Sequence, residues 1–226
     1  MQDVGLASIA PFVSKLKGVA LIPVITKWID AGAFGIWKQF SVTSGFVAIF
    51  ATVGTAQVIH RYLSPMERPE RFSGHFFAIA TVILGIGSAF AVSLALAPRF
   101  FSKSIFGSDV SLTPLYLLAV YIPVLAVINR LFTFLKARRR FDVVAPLVVV
   151  RDLGSIFLVS GFILLGGEVT VAIGAYVLWE VAGGIATFEL ARRKAELKIV
   201  RPDFSSRAYA VARRFSYFQA ACTLRS

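Results

Sequence analysis

Six long apolar stretches occupy most of this chain, at roughly residues 6–28, 39–60, 75–97, 112–135, 143–166 and 169–190. Each is about 20 residues, the length an α-helix needs to cross a hydrocarbon core of about 30 Å. None holds enough polar positions to wet one face, so none reads as a helix of a soluble domain. The chain is 57% hydrophobic with a mean hydropathy of +0.76, far from the balance of a soluble fold. The expected fold is an all-α integral membrane protein, a bundle of six transmembrane helices.

The segments between the stretches alternate between charge-rich and charge-poor, which sets an orientation. The second-to-third connection carries Arg61, Arg68 and Arg71, and the fourth-to-fifth carries Lys136, Arg138, Arg139 and Arg140. After the sixth come Arg192, Arg193, Lys194, Lys198 and Arg201, while the opposite connections hold only Lys27, Lys38, Arg99 and Lys103. Basic loops stay on the cytoplasmic side, so both termini are expected there. The net charge of +12 is therefore a topology signal and not a nucleic-acid face. Residues 1–190 read as one six-span lobe, the first span being retained because no small-residue cleavage site accompanies it. Residues 191–226 read as a basic amphipathic cytoplasmic segment leading towards a further apolar one. The pattern breaks off at Cys222 to Ser226, so the chain is expected to be the N-terminal part of a longer protein.

Within the connections, Ser64 to Pro69 is a turn-rich break, since its prolines disfavour helix before them. Phe100 to Thr113 is the longest outer loop, and Gly166-Gly167 closes a short hairpin that sets the fifth and sixth spans side by side. Trp28, Trp37, Tyr62 and Tyr116 fall near span ends, as interfacial aromatics do. His60 and His75 also fall at span ends and read as interfacial polar residues.

Enzyme chemistry finds no foothold. There is no Gly-Lys-Ser/Thr phosphate loop, no Gly-x-Ser-x-Gly elbow and no His-Glu-x-x-His pair. Gly85-Ile86-Gly87 lacks a third glycine and lies inside a span, where it permits close helix packing, and the same holds for Gly183-Gly184 and the Gly154/Gly161 pair. A single cysteine, Cys222, allows neither a disulfide framework nor a thiolate metal site. No cofactor and no metal are expected.

Ionisable residues at membrane depth are the specific signal. A charge at the centre of a spanning helix costs about 2.5–3.5 kcal/mol on insertion scales, so it needs a partner, a wet cavity or an escape to the interface. Lys15 and Lys17 lie near the middle of the first stretch; either one faces a cavity or both snorkel to the surface. Arg151 and Asp152 are deep in the fifth stretch and Glu180 is deep in the sixth. Counted from the Gly166-Gly167 hairpin, Arg151 and Glu180 lie within about one turn of the same depth. They either pair with each other or form an anion site in which Asp152 and Glu180 tune Arg151 or relay protons. Arg130 sits near the cytoplasmic end of the fourth stretch and is expected to snorkel. Pro23 and Pro123 lie inside spans, where a missing donor kinks a helix.

Asp30 to Trp37, following a span that ends in Lys27, resembles the first outer loop of polysaccharide flippases. These form the oligosaccharide-lipid branch of the multidrug/oligosaccharidyl-lipid/polysaccharide exporter superfamily. Gly54 with Ile59-His60-Arg61-Tyr62 resembles the exit of that family's second span, and Phe134 to Phe141 resembles its fourth-to-fifth cytoplasmic loop. Arg207 to Phe218 is similar to the approach to a seventh span. The resemblance implies one lobe of a two-lobe fold, with both termini of the lobe cytoplasmic.

The activity it implies is movement of a polyprenyl-diphosphate-linked oligosaccharide across a bacterial cytoplasmic membrane for polysaccharide biosynthesis. A diphosphate cannot enter hydrocarbon alone, so cations lining a wet cavity must replace its water. By depth and charge, Lys15, Lys17 and Arg151 are the cavity candidates. Arg61, Arg138, Arg139 and Arg140 would gather anionic headgroups at the cytoplasmic mouth. The implied partners are membrane lipids, the lipid-linked oligosaccharide, other glycan-assembly membrane proteins, and either a C-terminal lobe or a second copy. Two alternatives stand beside this reading: a drug or metabolite exporter of the same superfamily, and a non-transporting scaffold or inactive fragment.

Overall fold

The computed structural model describes residues 26–52, 69–107 and 112–203, together with positions 19, 23 and 59. Among them there is no strand. Six helices follow in order: α1 (Ala31–Thr52), α2 (Pro69–Leu96), α3 (Pro98–Phe106), α4 (Thr113–Ala137), α5 (Phe141–Leu164) and α6 (Val169–Lys194). Of these, α2, α4, α5 and α6 are long and apolar enough to cross a membrane. The first expected span, 6–28, falls almost wholly outside the described residues, as does the end of the second beyond Thr52. Residues 204–226 lie outside them too, with the amphipathic segment expected at Arg207 to Phe218.

Helix α4 is the hub. It packs against α2, α6 and α1, whereas α5 leans mainly on α6. Of its most apolar window 56% is buried, against 22%, 22% and 28% for α2, α5 and α6, whose other faces are left for lipid. Two apolar clusters stack along the bundle. One gathers Phe72, Phe76, Phe134, Leu135, Val144 and Leu197 at the end where α4 meets α5. The other gathers Phe40, Leu118, Ile122, Val159, Ile173 and Val177 towards the α5–α6 hairpin. On α5 and α6 the deep charged residues fall between these clusters in register.

Several boundaries differ from those read in the sequence, each for a local reason. Helix α1 begins at Ala31, not near 39, because Asp30 caps it: its Oδ1 accepts from the Ala33 N–H at 2.9 Å. Asp30 to Trp37 is therefore a capped helix start and not a loop. Trp37 is consequently buried, and its ring meets Tyr176 edge-on at 5.6 Å. Trp28 and Tyr116 are exposed, and Tyr62 lies outside the described residues.

Helix α3 lies where a loop was expected. Pro98 presets its first turn, and Gly107, at φ +78°, closes it with its N–H on the Lys103 carbonyl at 3.0 Å. Helix α5 ends as expected at the glycine pair: Gly166 takes φ +76° and the Gly167 N–H reaches the Phe162 carbonyl at 2.9 Å. The same six-to-one closure ends α4, with the Arg140 N–H on the Leu135 carbonyl, while α6 closes one residue wider, with the Leu197 N–H on the Ala191 carbonyl; Arg139 and Glu196, both at φ +55°, take the left-handed positions.

Beyond α6, residues 195–203 are not a helix but a strap laid back over the start of α2. The Lys198 N–H donates to Ser73 Oγ at 3.1 Å, its Nζ reaches Glu70 at 3.0 Å, and the Asp203 N–H donates to the Gly74 carbonyl at 3.1 Å. His75 is buried beneath it, 3.5 Å from Asp203. His60 lies outside the described residues.

Three glycines set the helix spacing. A Cβ on Gly87 of α2 would come within 3.0 Å of Pro123 of α4, and one on Gly184 of α6 within 2.8 Å of Ile128. One on Gly154 of α5 would strike the Trp179 indole at 2.1 Å, whereas Gly85 and Gly161 face open space. The Gly154→Ala variant is therefore expected to lose about 1–3 kcal/mol through overpacking, and Gly161→Ala to be neutral or stabilising. Thermal unfolding of both variants in detergent measures the difference.

Candidate functional site

Arg151 of α5 lies at membrane depth because an antiparallel hairpin fixes its register against α6. Its Nε is 3.7 Å from Glu180 Oε2 across the helix pair and 3.8 Å from Asp152 Oδ1 on its own helix. Asp152 is 2% exposed and Glu180 1%, while Arg151 keeps 18%. The guanidinium carbon stands 5.0 Å over the Phe132 ring of α4, so three helices meet at this side chain. Both carboxylate contacts are ion pairs beyond hydrogen-bond length. Among the described residues no hydrogen bond reaches Arg151 Nε or Nη1, although both atoms are buried. Fully ionised, the triad has one base and two acids.

The backbone around the triad is held as firmly as its charges. Trp179 Nε1–H donates to the Arg151 carbonyl at 2.9 Å, pinning α6 to α5 one residue from Glu180. The bare face of Gly154 makes room for that indole. Ser155 Oγ–H satisfies itself on the Asp152 carbonyl at 2.8 Å, and Thr187 does the same on Gly183 at 2.7 Å. Hydroxyls in hydrocarbon can use their own helix in this way.

One turn from Glu180 on the same face of α6 lies Tyr176, whose hydroxyl pairs with that of Tyr121 on α4 at 3.0 Å. Phe40 of α1 stacks on Tyr121 at 5.6 Å. The polar layer thus spans α4, α5 and α6, with Phe40 of α1 packed against it. Tyr121, Tyr176 and Trp179 went unmarked in the sequence reading. The four-residue spacing of Tyr176 and Glu180 was the signal available, since it sets both on one stripe. Arg130 does not snorkel: on the hub helix its side chain is buried, 6% exposed.

The second cluster of expected site residues is the α4–α5 turn. Arg140 chelates Asp142 at 3.0 and 2.9 Å and also donates to the Lys194 carbonyl at the end of α6. The carboxylate holds the Arg140 guanidinium above its ordinary pKa. Arg138 rests on the buried Phe72 ring, 4.5 Å from its centroid, while Arg139 is exposed. Lys15, Lys17 and Arg61 lie outside the described residues. Among those described, no group of His, Cys, Asp and Glu is arranged to hold a metal.

The model of one protein family, described as polysaccharide biosynthesis protein, matches residues 1–222. No curated protein and no solved structure matches the chain.

The geometry assigns a coupling to the ion pair. Glu180→Leu and Arg151→Met are each expected to destabilise the protein, because each strands a buried charge. The double variant with Glu180→Leu and Arg151→Met is expected to recover about 1–3 kcal/mol of the summed loss. Detergent melts of the four proteins provide the cycle.

Proposed function

The chain belongs to the polysaccharide biosynthesis protein family, and from that membership we propose that it carries a polyprenyl-diphosphate-linked oligosaccharide across a bacterial cytoplasmic membrane, without covalent chemistry. It is a multi-pass membrane protein, with four helices of spanning length and apolarity among its described residues. The observation that carries the reading to a lipid-linked cargo is Arg151: a cation at span depth, partly accessible, with buried donors that its carboxylate neighbours do not fill. A diphosphate oxygen would supply the acceptor these donors lack. It would also compete with Asp152 and Glu180, so cargo would enter by loosening one ion pair. The same exchange would let the sugar leave, because the carboxylates retake the guanidinium. Lys15 and Lys17 would extend the cationic lining, and Arg61 with Arg138 to Arg140 would gather the headgroup at the mouth. A second lobe or second copy would complete the cavity.

One observation favours a rival: the deep triad holds two carboxylates against one guanidinium, which suits an exporter of organic cations. The two readings separate in cells. Arg151→Leu is expected to abolish surface polysaccharide while the protein, though less stable, still accumulates in the membrane, and Arg151→Lys to retain part of it. Loss of abundance in step with polysaccharide would instead make Arg151 a structural partner of Glu180. Unchanged polysaccharide, with altered resistance to cationic drugs, would favour the exporter.

A further inference from the structure

Where α4 stops and α5 starts, the end of α6 comes alongside, and an open cavity of about 230 Å³ forms between them. Its lining is Arg138, Arg140, Lys194, Ala195 and Glu196. That is room for a phosphate and part of its hydration. We propose that this cavity binds an anionic phosphate group at the membrane surface, carried by a phospholipid headgroup. The inference needs only a protein seated in a bilayer, and it places a phospholipid phosphate on two bases, Arg138 and Arg140, that the cargo reading also sets at the mouth.

Charge, order and position support it together. Three cations face Glu196 in the lining and Asp142 behind Arg140, which leaves a formal excess of one positive charge that suits an anion. Two of the cations are set in place before any ligand arrives. Arg140 is fixed by Asp142 and by the Lys194 carbonyl, and Arg138 lies on the Phe72 ring. The third, Lys194, is exposed at the end of α6, and its ammonium makes no ion pair among the described residues, so it can close on a ligand.

Helix dipoles partly oppose the charge, since the C-termini of α4 and α6 both point here, while the α5 N-terminus favours an anion. Arg140 answers one of these terminal carbonyls, that of Lys194. The cavity also lies at the right level. It sits where three helices end, and Ile199 of the adjoining strap is an exposed apolar side chain. Acyl chains can lie along such surfaces while the phosphate rests among the bases.

The test is thermal unfolding of the full-length chain in detergent, with phosphatidylglycerol, phosphatidylcholine or sodium pyrophosphate added. Phosphatidylglycerol is expected to raise the Tm by several degrees and phosphatidylcholine to leave it unchanged. The Arg138→Gln/Lys194→Gln double variant should lose the shift, and Lys38→Gln, near the opposite end, should keep it. If the double variant does not fold, Lys194→Gln alone, an exposed change, should still weaken the shift several-fold in lipid concentration. Stabilisation by pyrophosphate as well would assign the site to the phosphate group itself, and stabilisation by phosphatidylglycerol alone to the lipid-borne phosphodiester. Equal shifts from the two lipids, or a phosphatidylglycerol shift retained in the variants, would overturn the proposal.

Discussion

A guanidinium in the hydrocarbon layer is tolerable only where opposite charge or polar donors and acceptors surround it, and the arrangement of α5 and α6 turns on meeting that demand at Arg151. Glu180 must arrive from the neighbouring helix at the same depth, which requires the tight Gly166 hairpin. The helices must also approach closely, which requires a bare face at Gly154 under Trp179. That indole then returns a hydrogen bond to the Arg151 backbone. Charge, turn and small residue are parts of one solution. Because lipid is as apolar as leucine, there is little hydrophobic drive to hold spans together. Packing at glycines and polar contacts of this kind therefore have an outsized share in specifying the bundle.

The end of the bundle near Arg138 is organised by different means. There the chain leaves the apolar layer, and each helix end needs its carbonyls answered. Arg139 and Glu196 adopt left-handed turns that glycine would occupy at lower cost, about 1 kcal/mol per residue. Arg140 then bridges the two turns through Asp142 and the Lys194 carbonyl, and the strap that follows α6 ties down the start of α2 through Lys198 and Asp203. A set of bases that reads as a topology signal in the sequence is also a set of struts.

Much of this was legible beforehand, and what was not has physical reasons. The all-helical membrane fold followed from runs too apolar to be wetted, and the Arg151–Glu180 proximity from counting residues back to a glycine turn. Helix starts were less legible, because caps extend a helix into polar sequence: Asp30 carries α1 over residues that look like loop. Arg130 was misread because depth along a helix does not reveal which helix is central. The tyrosine pair was missed because a hydroxyl in an apolar run looks like another aromatic until its partner on a distant span is known. The strap was invisible for the same reason, since Ser73 and Lys198 meet only through the fold.

The polar layer between two apolar clusters gives a membrane protein of this family a place where an anionic headgroup could exchange partners with fixed carboxylates. The central claim is that Arg151 serves cargo as well as structure. The most direct measurement is headgroup translocation in proteoliposomes, using a fluorescent polyprenyl-diphosphate sugar and a membrane-impermeant quencher. The account predicts transbilayer movement with the wild-type chain, and none with a folded Arg151→Leu protein. Equal movement in the two would contradict it and leave the Arg151–Glu180 pair as a structural bond alone.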